Sequence, residues 1–183
     1  IEDLKQAYAD LGNQIYAAQQ AEMAKQQGSQ NNSSNTGSSS PGTSGGSSYV
    51  QPGSTGIFQW PVRGMITSEF GYRSFILNGA PYIDFHTGLD IAAPAGTPIC
   101  AADGGKVIIA GAMPVSGNTV VIDHGNGLST LYGHNSSIAV SVGQTVSKGQ
   151  VIAYCGMTGL ATGNHCHFQV NINGRPVNPR GYL

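Results

Sequence analysis

The sequence predicts a mainly β chain: an antiparallel β domain over residues 57–183, preceded by a coiled-coil helix over 1–27 and a disordered Ser/Gly linker over 28–56. Three observations lead there. Composition changes abruptly at two points, the first stretch carries a heptad period, and the last consists of short apolar runs broken by glycine-bearing turns.

In IEDLKQAYADLGNQIYAAQQAEMAKQQ, the residues Ile1, Leu4, Tyr8, Leu11, Ile15 and Ala18 recur at alternating steps of three and four. That is the seam of a coiled-coil helix. The next two seam positions are Glu22 and Lys25, so the apolar stripe fades and the helix is expected to end near Gln27. A single amphipathic helix docked on the following domain is the alternative. Residues 28–56 are Ser, Gly and Asn with almost no apolar content. They cannot bury enough surface to offset the entropy of ordering, which makes them a tether with a mean span on the order of 30 Å. From Phe58 onward come MITSEFGYR, PICAADGGKVIIAGA, NTVVIDHGNGLSTLYGH, GQVIAYCG and HCHFQVNINGRPV. DGG, HGNG and NINGR are hairpin-turn signals, and no segment there keeps a helical period for three turns.

Composition excludes some functions. Net charge is −1 and only 9% of residues are charged, which leaves no basic stripe for nucleic acid and no polybasic membrane patch. No apolar run reaches the about 18 residues of a membrane span. The chain begins at Ile1 rather than methionine. It reads as part of an exported, cell-envelope or extracellular precursor whose signal or anchor lies in the missing N-terminus. Cys100, Cys155 and Cys166 form no CxxC pair, which argues against a thiolate zinc ribbon.

The histidines carry the chemistry. In TGNHCHFQV, a strand from His165 to Gln169 would put His165 and His167 on one face and Cys166 on the other. Two imidazoles sharing a face need partners for their ring nitrogens, which a metal or a catalytic pocket supplies. FHTGLD places His86 and Asp90 four apart in a segment that Thr87 and Gly88 bias against helix. His86, Asp90 and one histidine of the HxH pair make a two-imidazole, one-carboxylate set, the usual composition of a hydrolytic zinc site. His134 closes an alternating strand, LSTLYGH, as an ordinary strand-end polar residue. His124, at the HGNG turn, reads as structural, with an Asp–His contact shaping the hairpin.

The order HxxxD, then a strand ending in YGH, then HxH resembles the lysostaphin-type (LytM-like) zinc peptidoglycan endopeptidases. The resemblance runs from about Phe58 to Leu183 and takes in FQWPVRGMITSEFGYR, HTGLDIAAPAGTPICAADGGKVIIAG and GNHCHFQVNINGRPVNP. It implies a mainly antiparallel β-sheet with a groove across it and one zinc ion held by His86, Asp90 and His167. It also implies that His134 and His165 flank the metal-bound water, one moving protons and the other stabilising the oxyanion. The expected substrate is the peptide stem or cross-bridge of bacterial peptidoglycan. There is no HExxH motif, and Glu69 is not expected to act as the base. A Cys155–Cys166 disulfide is conceivable if their strands pair.

Competing readings are a non-catalytic wall-binding module or amidase activator of the same fold, a closed structural zinc site, and a lipoyl-like carrier suggested by VSVGQTVSKGQVIA. The complete set of five histidine and aspartate positions favours the enzyme. Residues 1–27 are expected to engage a coiled-coil partner or a second copy. Deleting residues 1–50 would then change location without disturbing the domain.

Overall fold

The computed structural model describes residues 2–30, 58–77 and 79–183. The first element, α1, spans Glu2–Gln30. Thirteen strands follow in chain order. These are β1 Met65–Ser68, β2 Gly71–Leu77, β3 Ala80–His86, β4 Leu89–Ala92, β5 Pro98–Cys100, β6 Gly105–Met113 and β7 Gly117–Gly125, then β8 Leu128–Asn135, β9 Ser137–Ile138, β10 Thr145–Val146, β11 Val151–Tyr154, β12 His165–Ile172 and β13 Arg175–Val177. The main sheet runs β1-β4-β12-β8-β7-β6-β10 with β13 beside β12, and its pairings are antiparallel. A second sheet, β5-β11-β9, and the β2–β3 hairpin complete the domain. The chain is thus mainly antiparallel β with one N-terminal helix.

Two turn signals behave as read. Asn126–Gly127 joins β7 to β8 and Asn173–Gly174 joins β12 to β13. All four residues have positive φ (54°, 76°, 50° and 74°), the backbone of a type I′ turn. Asn and Gly are the residues that accept it at least cost. DGG is different: it links β5 in one sheet to β6 in the other and closes no hairpin. Gly71–Leu77 and Ala80–His86 pair in the β2–β3 ladder from Gly71↔His86 to Leu77↔Ala80.

Strand alternation builds two faces. Cys166, Phe168 and Val170 of β12, with Val120, Ile122 and Tyr132, enter the main core against Ile99 and Ile152 of the smaller sheet and Cys155 just after β11. Leu131 and Val121 point the other way and meet Leu11 and Ile15 of α1. This corrects the coiled-coil reading. Leu11 and Ile15 are buried and Ala18 packs beside them. The polar residues further along are buried as well: Gln19 donates to Asp123 Oδ1 at 3.0 Å and Glu22 pairs with Lys106. The stripe does not fade; it turns polar where the sheet beneath it turns polar. Gly12 and Gly174 let the two backbones touch, since a Cβ on Gly12 would lie 2.8 Å from the Gly174 carbonyl oxygen. Leu11, Ile15 and Ala18 of the seam therefore face their own domain rather than a partner helix. The helix also runs to Gln30, past the expected end at Gln27. The remainder of the tether, residues 31–56, lies outside the described residues. No helix among the described residues is long and apolar enough to cross a membrane.

Removing α1 would uncover Val121 and Leu131, so its deletion disturbs folding rather than location alone. Ile15→Ala is expected to cost about 2–5 kcal/mol, read as a lowered urea midpoint. Asp10→Ala on the exposed side should change stability by less than about 0.5 kcal/mol.

Candidate metal centre

β12 pairs with β4 in the register His167↔Asp90, and β3 ends at His86 just before the turn into β4. Gly88 sits in that turn because the ring of His167 packs against it. A Cβ there would lie 2.9 Å from His167 Cε1 and 2.5 Å from the Phe168 carbonyl oxygen. Three ligand atoms converge as a result. His86 Nε2 lies 3.1 Å from Asp90 Oδ1 and 3.1 Å from His167 Nδ1, and His167 Nδ1 lies 3.0 Å from Asp90 Oδ1. An ion with tetrahedral bonds of about 2.0–2.2 Å separates its ligands by roughly 3.3 Å, so the three atoms suit one divalent ion. His86, Asp90 and His167 form a group that could hold a metal.

Backbone and side-chain partners orient each of the three groups. His86 Nδ1 donates to the Glu69 carbonyl at 2.8 Å, with Ser68 Oγ at 3.2 Å, which leaves Nε2 with a lone pair toward the centre. His167 faces the centre through Nδ1, and its Nε2 donates to Gln169 Oε1 at 3.4 Å. Burial alone would push the Asp90 carboxyl up. The contacts of His165, His167 and His86 override it and hold the group well below the usual carboxylate range. Arg73 of β2 makes two bonds to Asp84 Oδ2, at 3.0 and 2.7 Å, and its Nη1 reaches Ser68 Oγ at 3.1 Å and Asp90 Oδ2 at 3.7 Å. The guanidinium therefore stands behind the oxygen of Asp90 that does not face the two imidazoles.

The two remaining site histidines lie on the same side. The ring of His134 is 4.6 Å from that of His165 and 5.9 Å from that of His167, centroid to centroid. His165 Nε2 is 3.5 Å from Asp90 Oδ1, and its Nδ1 donates to the Gly163 carbonyl at 2.9 Å. His134 breaks the alternation of its strand. Leu131 faces α1 and Tyr132 faces the main core, so residue 134 would follow Tyr132 inward. Its φ of +62° turns the ring out instead. Such backbone is uncommon for a residue other than glycine and needs support from its surroundings. The main-chain N–H donates to the Ser116 carbonyl at 2.6 Å, and Nδ1 donates to the Thr158 carbonyl at 2.8 Å. Burial, with smaller contributions from the neighbouring imidazoles, pushes His134 down to about 4. It is neutral at pH 7, with Nε2 able to accept a proton.

His124 lies elsewhere, 2% exposed in the main core. The ring nitrogens bond to groups other than a carboxylate, and the charges of Asp103 and Asp123 act on the ring from nearby. Nδ1 donates to the Gly104 carbonyl at 2.7 Å, and Nε2 lies 2.8 Å from Thr130 Oγ1. Thr130 Oγ1 is in turn 2.8 Å from the Tyr132 hydroxyl, which accepts from the Ala102 N–H. A neutral His124 accepts at Nε2 from Thr130 Oγ1. Burial enforces this by pushing its pKa below the ordinary 6.5. The unfolded chain then binds a proton that the folded chain refuses, and stability falls as pH drops below about 6.5. His124→Gln should flatten part of that decline, measured as urea midpoints between about pH 7.5 and about 5.5.

The sequence did not single out Arg73 or Gln169. Gln169 had a signal, the period-two row His165, His167, Gln169, Asn171 along one face of β12. Arg73 had none, because only the hairpin fold brings it to Asp90. Glu69 is turned away: its carboxylate pairs with Arg180, at 2.6 and 3.3 Å, and only its carbonyl serves the site. All three cysteines are free thiols; Cys155 donates to the Ala93 carbonyl and forms no bridge to Cys166.

The model of Peptidase family M23 matches residues 84–179. The DD-carboxypeptidase/endopeptidase Mpg of Neisseria meningitidis is 44% identical over 114 residues, 62% of this chain and 26% of that protein. The peptidoglycan DD-endopeptidase ShyA of Vibrio cholerae is 47% identical over 93 residues, 51% of this chain and 22% of that protein. The chain thus spans about a quarter of the length of these relatives. Among solved structures, a zinc-containing peptidase from Vibrio cholerae matches with a TM-score of 0.63 and 38% identity, covering 68% of this chain and 39% of that one. The catalytic domain of lysostaphin from Staphylococcus simulans matches with a TM-score of 0.59 and 30% identity, covering 65% of this chain and 91% of that one. The matched family region starts just before His86 and ends after the β12–β13 hairpin, taking in more than half of the 183 residues, and the chain belongs to Peptidase family M23.

Proposed function

We propose that this chain is a zinc-dependent endopeptidase that cleaves peptide stems or cross-bridges of bacterial cell-wall peptidoglycan, acting in the cell envelope. The observation that carries this reading is the convergence of His86 Nε2, Asp90 Oδ1 and His167 Nδ1, with two further imidazoles facing the same space. The three groups are the residues that would hold zinc, and the donor set fits it: two neutral nitrogens and one carboxylate leave net positive charge and room for solvent. When bound, zinc would polarise a peptide carbonyl and acidify water.

The chain's own groups divide the rest. His134, held neutral and anchored through Nδ1, takes a proton at Nε2 and returns it to the leaving amine. His165, also anchored through Nδ1, presents Nε2 as a hydrogen-bond donor to the oxyanion. Arg73 holds Asp90 in position through the β2–β3 hairpin. A closed structural site would not set two more imidazoles beside its ligands, and a non-catalytic module would not need them.

The test is digestion of defined muropeptides by the zinc-loaded chain, with products identified by mass. Chelator should stop the reaction and zinc should restore it. Intact substrate after long incubation with zinc would remove the proposal.

A further inference from the structure

The two imidazoles beside the converging groups take their aim from one loop. The segment between β11 and β12 supplies the Thr158 carbonyl to His134 Nδ1 and the Gly163 carbonyl to His165 Nδ1, at 2.8 and 2.9 Å. Each bond ties Nδ1 and leaves Nε2 for the centre. A loop carbonyl aims a ring only as well as the loop itself is fixed. The large apolar residues of this loop, Met157 and Leu160, are exposed, so packing does little to hold it. Hydrogen bonds must do so instead.

Thr158 makes most of them. Its N–H reaches the His134 carbonyl at 3.4 Å while its own carbonyl takes the ring, so the residue brackets position 134. Its hydroxyl sits at the irregular end of the β7–β8 ladder, where Asn118 and Asn135 are partners. Oγ1 accepts from the Asn118 N–H at 2.9 Å and donates to the Asn135 carbonyl at 2.8 Å. One side-chain oxygen thus bridges two main-chain groups of the strand pair that carries His134. Glycines permit the close approach. A Cβ on Gly117 would lie 2.4 Å from Thr158 Oγ1, and one on Gly159 would lie 2.4 Å from the Val115 carbonyl oxygen in the turn between β6 and β7. The Leu160 N–H donates to that same carbonyl at 2.9 Å, and the Gly156 carbonyl accepts from the His165 N–H at 3.2 Å, closing the loop at its base.

We propose that Thr158 is a positioning residue for hydrolysis: its hydroxyl pins the β11–β12 loop to the β7–β8 ladder, and the pinned loop aims both His134 and His165. The inference rests on the peptidase reading for the reaction it serves, and on the hydrogen bonds alone for the clamp. Thr158 acts through the imidazoles and not on the substrate. Without the hydroxyl, the Asn118 N–H and the Asn135 carbonyl can pair with each other as ladder partners do. The sheet then survives, and the loop is what is released. The His134 ring, no longer held through Nδ1, divides between its two tautomers, and only one of them accepts a proton at Nε2.

The experiment uses the full zinc-loaded chain and compares Thr158→Val, which removes the hydroxyl, with Thr158→Ser, which keeps it. Thr158→Val is expected to retain its zinc and lose about 10–100-fold in kcat, the range a small misplacement of a reacting group can cost. KM should stay within about twofold, because an interaction felt only in the transition state is what has been lost. Thr158→Ser should restore kcat. A second readout needs no turnover: long-range 1H–15N spectra of the histidine-labelled chain, with His134 identified by the signal that His134→Asn removes. The wild type should show a protonated Nδ1 and an unprotonated Nε2, and in Thr158→Val the two nitrogens should shift toward each other as tautomers average. An unchanged kcat in Thr158→Val, an unchanged His134 signal, a Thr158→Ser variant as slow as Thr158→Val, or zinc lost in step with activity would each overturn the clamp. The two proposals fail separately. Nitrogen signals that move in a chain whose wild type cleaves nothing refute the peptidase and leave the clamp, and cleavage indifferent to Thr158→Val does the reverse.

Discussion

Asp90→Ala is expected to lose zinc and peptide hydrolysis together. The carboxylate is the only anion among the three converging atoms, and without it two neutral imidazoles face the ion. Its loss also removes the group that Arg73 and His165 approach. Replacing residues that merely orient a ligand typically costs about 10–100-fold in metal affinity or activity, and a direct ligand should cost more. Metal content after dialysis, measured by mass spectrometry, should fall from about one zinc per chain to near none, with muropeptide cleavage below about 1% of the wild-type rate. His167→Ala should behave the same way. Stoichiometric zinc retention by either variant would mean that the ligand set is assigned wrongly.

The second large effect separates binding from turnover. His134→Ala should keep its zinc and lose about 10²–10⁴-fold in kcat, the usual contribution of one positioned proton-transfer group. Its ring nitrogens are not among the converging atoms, and its Nδ1 is tied to the Thr158 carbonyl. Because residue 134 has φ of +62°, alanine adds backbone strain to the loss of the imidazole. Asn tolerates that backbone better, so His134→Asn is the cleaner variant and should show the same kinetic defect with less loss of stability. If His134→Asn lost zinc in proportion to activity, His134 would belong to the ligand set. With pKa pushed down to about 4, the His134 imidazole stays neutral until pH falls toward that value. Activity that depends on it should therefore persist into mildly acidic buffer.

The candidate site was legible where it depends on local period. His165 and His167 share a face because strands alternate, and His86 and Asp90 meet because a short turn joins β3 to β4. The type I′ hairpins were legible at Asn126–Gly127 and Asn173–Gly174 because only a few residues accept positive φ at two adjacent positions. The β2–β3 hairpin was not. Its pairing carries Arg73 to Asp84 across the ladder, and nothing in either segment alone announces the partner.

By itself, then, the sequence determined the β domain, its hairpin turns and the two motifs that supply the convergent groups. Those features follow from the side-chain period of a strand and the backbone preferences of Asn and Gly, which act over a few residues. The tertiary structure decided what α1 packs against, the outward turn of His134 and the neutral state of His124. Each of these depends on groups distant in sequence. A heptad stripe carries the same apolar pattern for another helix as for a sheet, and only the facing surface of Val121, Leu131 and Asp123 selects between them. Strand alternation would send His134 inward, and only the carbonyls of Ser116 and Thr158 hold it facing His165.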